Sequence, residues 1–169
     1  FKPFLYSAAL SKGFTFATII NDAPVVVSDT GANMIWRPEN DTQKFYGPTR
    51  LRVGLRKSQN LVSIRLLQLV TVPYAIDYAT RFGFSLKQLP DSLSLALGTA
   101  SITPLQMAEA YSVFANGGYK INHYLIDHIT NNQGTVVYQA SPIFVPPKDL
   151  AQLLNNNPSQ ITNQNNMPQ

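Results

Sequence analysis

Residues 61–70, LVSIRLLQLV, constrain this chain more than any other stretch. Their apolar positions repeat at helical spacing in two rows, Leu61, Ile64 and Leu67 in one and Val62, Leu66 and Leu69 in the other. A helix apolar over that much of its circumference has to be buried, so other elements must cover it. The 169 residues suffice for one domain with a real core. A chain of that size buries roughly 70% of its unfolded surface and needs no metal or disulfide staple.

The flanking segments supply the cover. Residues 1–11, FKPFLYSAALS, form an apolar, alanine-rich helix closed by Lys12-Gly13. Pro3 is tolerated only in a first turn, so this helix begins close to, or before, residue 1. Residues 14–48 have loop and short-strand character, punctuated by Pro24, Pro38, Gly47 and Pro48, with APVVVS (23–28) expected as a strand. Residues 51–57 resume helical spacing. Pro73 opens a helix to Phe82, stopped at Gly83, and SLALGTASITP (94–104) is expected to be extended. Thr103-Pro-Leu-Gln106 fits a capping box with proline at the first helical position, starting a helix through Ala115 that Asn116-Gly117-Gly118 ends. Residues 119–129 and 135–139 are expected as strands joined by Asn-Asn-Gln-Gly, a hairpin. Beyond Ser141 the chain turns to Asn, Gln, Pro and Ser with little to bury, the composition of a mobile loop or linker over 142–169. Helices followed by a hairpin give a mixed α+β fold, without the regular strand–helix alternation of a nucleotide-binding sheet.

Composition removes several function classes. The chain has no cysteine, which excludes disulfides, thiolate metal sites and a cysteine nucleophile. The net charge is +4, but Arg37, Arg50, Arg52, Arg56, Lys57, Arg65 and Arg81 form no run and accompany no nucleic-acid-binding module. No stretch of 18 apolar residues is present to cross a membrane as a helix. Mild basicity suits an anionic polymer or surface.

Among candidate sites, His123 and His128 lie five apart in an expected strand and face opposite sides, so a shared metal site is disfavoured. Asp22 with Asp29, and Glu39 with Asp41, fall in loop-like stretches where aspartate serves turns. Tyr74, Tyr78 and Phe82 recur at helical spacing as packing residues. Ser58-Gln59-Asn60 stands between two helical runs, and by itself is read as a joint in which Asn60 caps the helix that follows.

The phrases around that triplet change its weight. FKPFLYSAAL resembles the helix that carries the S-x-x-K motif of penicillin-binding proteins. NDAPVVV, WRPEN, YGPTRLRVGLRKSQNLVSIRLL, RFGF and SLALGTASITPLQMAEAYSVFANGG follow in the order found in the transpeptidase domain of the class A, bifunctional members. The resemblance covers residues 1–140. It implies a penicillin-binding protein or serine β-lactamase-like fold, here its helical region plus a hairpin of the central antiparallel sheet. S-x-x-K, S-D-N and K-T-G are the serine-acylation motifs of this superfamily. Ser58-Gln59-Asn60 matches the second with Gln59 in place of its aspartate, and Lys2 matches the lysine of the first. The motif's serine falls two positions upstream of Phe1, and the K-T-G motif is not in the sequence. The resemblance therefore implies an internal piece of a transpeptidase: 1–141 part of the domain, 142–169 a linker toward the K-T-G segment.

The implied activity is peptidoglycan cross-linking through a serine acyl-enzyme, with D-Ala-D-Ala stem peptides as substrate, β-lactams as inhibitors and no cofactor or metal. The rest of the parent domain is an implied partner. The implied location is the periplasmic face of a bacterial inner membrane, reached through an N-terminal part of the parent. Serine needs an adjacent base, and the implied base is Lys2, its pKa lowered from the usual 10.4 or so by burial or nearby positive charge. Ser58 is expected to relay a proton to the leaving nitrogen, Asn60 to hold the substrate amide and orient Lys2, and Gln59 to be an outward-pointing spacer. The competing readings are a non-catalytic penicillin-binding-like module of the cell wall and, less well matched, a serine β-lactamase.

Overall fold

The computed structural model describes residues 1–29 and 34–142. They belong to two compact units, Phe1–Tyr111 and Ser112–Gln169. The linker expected over 142–169 lies, past Pro142, outside the described residues.

The first unit is built around the apolar helix. α1 (Lys2–Ser11) has proline in its first turn and ends at Lys12, with Gly13 at φ +90°. β1 (Ile19–Asp22), β2 (Val27–Asp29), β3 (Met34–Trp36) and β4 (Gly47–Arg50) lead into α2 (Leu51–Arg56), α3 (Asn60–Val70) and α4 (Val72–Thr80). Leu61, Val62, Ile64, Leu66, Leu67 and Val70 of α3 are wholly buried. α1, α2, α4 and β1 all pack on them. Burying each such side chain stabilises the fold by about 1.5–3 kcal/mol, which makes α3 the axis of the unit. Only Leu69 of the two expected rows stays exposed. Phe4 of α1 adds an aromatic cluster, its ring edge-on to Phe82, Phe84 and Tyr111 at centroid distances of 5.0, 4.9 and 5.2 Å.

Short strands form within residues 14–50, and two expectations are corrected here. β1 and β4 pair antiparallel, from Ile19 opposite Arg50 to Asp22 opposite Gly47, a pairing that the short-strand character of 14–48 did not specify. In APVVVS only Val27 and Ser28 are in a strand, because β3 pairs with no more than Val27–Asp29. The carbonyls of Ala23 and Pro24 accept instead from Arg65 Nη2, at 3.4 and 2.8 Å. Within SLALGTASITP, residues through Leu97 belong to a 3-10 helix, Leu93–Leu97. It buries Leu95 and Ala96 on α3, and Gly98 at φ +88° ends it.

The chain enters the second unit within α5 (Pro104–Ala115). The capping box forms as expected: Thr103 Oγ1 accepts from Gln106 N, and Gln106 Oε1 accepts from Thr103 N, both at 3.2 Å. β5 (His128–Thr130) and β6 (Val136–Gln139) make the expected hairpin. The first of its strands is much shorter than expected. β6 offers a partner only to residues 128–130, so residues 119–127 are not in a strand and His123 does not share one with His128.

Candidate functional site

Two chain segments more than fifty residues apart build the site. Lys2, at the start of α1, projects Nζ to the turn between α2 and α3. There it donates to Ser58 O at 2.7 Å, Ser58 Oγ at 2.9 Å and Asn60 Oδ1 at 2.7 Å. Three acceptors saturate an ammonium, which has three protons to give. Burial of the half-covered amine nevertheless pulls its pKa below the ordinary 10.5.

Ser58 reaches Lys2 with both of its oxygens because its backbone is left-handed, at φ +52°. That region is unfavourable for a residue with a Cβ and persists only where its surroundings hold it. The amides on either side of the turn are fixed: Ser58 N donates to Leu55 O at 3.0 Å and Gln59 N to Gly54 O at 2.9 Å. Asn60 is the first residue of α3, and its side chain does not cap the helix. With Oδ1 on Lys2, its Nδ2 donates to Glu39 O at 2.9 Å, which fixes which way the amide faces.

The cap comes from elsewhere. Asn40 Oδ1 accepts from Asn60 N at 2.9 Å and Leu61 N at 3.3 Å, filling the role expected of Asn60. Asn40 Nδ2 donates to both oxygens of Asp22, at 2.9 and 3.0 Å, and to Lys44 O at 2.9 Å. Asp22, at the end of β1, is fully buried. Its Oδ2 also accepts from Tyr46 N and from Gln59 Nε2, both at 3.1 Å. Asp22 is therefore not a turn residue.

Gln59 is the clearest correction. Expected to point outward, it is 4% exposed and its amide sits on the Asp22 carboxylate. The reason is the left-handed turn at Ser58: it sends Ser58 toward Lys2 and the next side chain into the protein. Asp22 and Asn40 lie within two of the phrases, NDAPVVV and WRPEN, that carried the resemblance. No spacing rule connects either to residues 58–60, so sequence reasoning had no means of pairing them. Among the described residues, no three His, Asp or Glu side chains converge to hold a metal.

Comparisons with known proteins identify the family of the chain and its fold. The penicillin binding protein transpeptidase domain model matches residues 1–166. The chain is 54% identical over 149 residues to penicillin-binding protein 1A of Pseudomonas aeruginosa, covering 88% of this chain and 18% of that protein. It is 48% identical over 141 residues to penicillin-binding protein 1A of Vibrio cholerae, covering 83% of this chain and 17% of that protein. Among solved structures, penicillin-binding protein 1A from Haemophilus influenzae superposes with a TM-score of 0.80 at 43% identity, over 83% of this chain and 21% of that one. Penicillin-binding protein A of Mycobacterium tuberculosis, in its penicillin G acyl-enzyme complex, gives 0.71 at 21% identity over 91% of this chain and 41% of that one, a likeness of fold. The chain thus spans less than a fifth of the length of the 1A relatives it matches.

Proposed function

Because the chain belongs to the penicillin-binding protein transpeptidase family, we propose that residues 1–140 supply the lysine and the second motif of a peptidoglycan D,D-transpeptidase site that β-lactams acylate. The observation that supports this reading most directly is the convergence of Lys2, Ser58 and Asn60 across a separation of 56 and 58 residues. A helix joint needs no such contact, and a non-catalytic module would have no chemical use for it.

The nucleophile would be the S-x-x-K serine, three positions before Lys2 and one helical turn away, on the same face. Lys2, deprotonated, takes the serine's proton as it attacks the carbonyl of the penultimate D-Ala or of the β-lactam ring. Ser58, with one hydroxyl that both donates and accepts, passes that proton to the departing nitrogen. Asn60 holds Lys2 from the other side and keeps its amine aimed at the serine. The amide nitrogen leaves protonated, and the acyl group rests on the serine as an ester. An amine from a neighbouring strand then takes the acyl group, by the same proton transfers in reverse. Serine-type chemistry, stem-peptide substrates and a place on the periplasmic face of an inner membrane are parts of this proposal. No helix among the described residues is long and apolar enough to cross a membrane.

The test is acylation by a fluorescent penicillin in a full-length protein carrying this segment. Lys2→Ala should fold and lose labelling. Near-normal labelling of Lys2→Ala would remove the lysine from the mechanism and the reading with it.

A further inference from the structure

We propose that Asp22 is a positioning residue for this site: its buried carboxylate, gripping Gln59 and Asn40 together, holds Ser58 in the left-handed turn that presents both serine oxygens to Lys2. The proposal rests on the catalytic reading above.

Burying a carboxylate costs several kcal/mol unless its oxygens are fully bonded. Asp22 is wholly buried, and among the described residues its partners are neutral: the Asn40 and Gln59 amides and the Tyr46 N–H. Among the described residues, no arginine or lysine is bonded to it. Hydrogen bonds to a charged group are stronger than neutral ones, about 1.5–3 kcal/mol each. Asp22 therefore acts as a tight clasp on whatever reaches it, and the two side chains that reach it are Gln59, next after Ser58, and Asn40, which holds the start of α3.

On one side, Gln59 Nε2 is pulled inward at 3.1 Å. Gln59 Oε1 is buried without a hydrogen-bond partner among the described residues. Among the described residues, the contact to Asp22 is thus the one polar anchor of that side chain. On the other side, Asp22 fixes which end of the Asn40 amide faces it. That leaves Asn40 Oδ1 turned to the N–H groups of Asn60 and Leu61. Ser58 is followed at once by a neighbour anchored inward and by a helix start anchored from residue 40, which leaves the turn at Ser58 to join them to α2. Released from both, a serine at φ +52° relaxes to negative φ. Its oxygens then leave Lys2, and so does the geometry of the proton relay. Asp22 touches neither Lys2 nor Ser58 and acts wholly through the turn.

The experiment resolves fluorescent-penicillin acylation of the full-length protein into a noncovalent dissociation constant and an acylation rate constant, with thermal melts alongside. Gln59→Met keeps the volume and removes the donor. It should slow acylation about ten- to a hundredfold, the loss of one charged hydrogen bond at 1.36 kcal/mol per factor of ten, and leave the dissociation constant within about twofold. Gln59→Glu sets a carboxylate against Asp22 and should be slower still. Asp22→Asn, which removes the charge and one of the acceptors that Asn40, Tyr46 and Gln59 share, should also slow acylation at an unchanged dissociation constant. A Gln59→Met acylation rate constant equal to the parent's overturns the proposal. So does an Asp22→Asn acylation rate constant equal to the parent's, or a loss seen only as a lower melting temperature and a smaller active fraction. If Lys2→Ala abolishes acylation while Gln59→Met leaves it unchanged, the positioning role fails and the catalytic reading stands. If Lys2→Ala itself labels normally, the catalytic reading is what fails.

Discussion

Lys2 Nζ lies 2.9 Å from Ser58 Oγ and 2.7 Å from the same residue's carbonyl oxygen, so one lysine reads both the side chain and the backbone of a serine 56 residues away. The contact depends on a strained backbone, a buried amine and a core that brings α1 and α3 together. Each of these can be tested separately.

The half-buried amine predicts a pH profile. Burial holds the Lys2 pKa below 10.5, so the deprotonated base forms at lower pH than on a free lysine. Acylation should rise with pH along a limb whose midpoint lies below 10.5, and Lys2→Arg, which cannot deprotonate, should lack that limb. Stability should follow with the same sign. Between the lowered folded pKa and 10.5 the unfolded chain binds the extra proton, so stability rises with pH through that window, and the burial penalty is fully present below it. Melts of the parent and of Lys2→Met across that range should converge as pH rises. Parallel curves would show that the lysine is not perturbed by folding.

The strained turn predicts a split between stability and rate. Ser58→Gly removes the cost of holding a Cβ at φ +52°, whereas Ser58→Ala keeps it. The glycine variant should be more stable than the alanine variant by about 1 kcal/mol, measured by denaturant melts. Both should acylate slowly, since neither has a hydroxyl to relay a proton. An alanine variant as stable as the glycine one would mean that the turn stores no strain.

Gly54 predicts a packing limit beneath the same turn. A Cβ there would stand 2.7 Å from Val62 Cγ1 and 3.0 Å from the Tyr6 hydroxyl. Val62 is wholly buried and, being β-branched, stiff at χ1. Gly54→Ala should therefore destabilise by about 1–3 kcal/mol despite alanine's better helix propensity. Combined with Val62→Ala, it should cost less than the sum of the two single changes, a coupling that a double-mutant cycle measures. Strict additivity would show that the clash is relieved elsewhere.

The second unit predicts self-association. Every residue of β5 and β6 is exposed, with Val137 63% accessible, and Leu125 before them is 92% accessible. A two-stranded hairpin is marginal alone, and apolar residues on both of its faces invite pairing. A polypeptide of these 169 residues should scatter light as a species larger than a monomer and take no penicillin label. A clean monomer with a cooperative melt would contradict this.

What the sequence determined by itself is local. The burial of residues 61–70 followed from their apolar rows, the start of α1 from Pro3, and the start of α5 from Thr103 and Gln106, because each rests on contacts within one or two helical turns. The motif phrases were legible too, and they named Lys2, Ser58 and Asn60 as candidates. The orientation of the side chains between those landmarks was not legible. Gln59 turned inward, Asn40 took the capping role expected of Asn60, and Asp22 became a buried clasp. Each outcome hangs on a single backbone angle at Ser58 and on partners 18 to 37 residues away. A local pattern cannot encode such pairings. They form only once α3 is packed against α1 and β1, when burial makes every unsatisfied polar group costly and leaves few arrangements that satisfy them all.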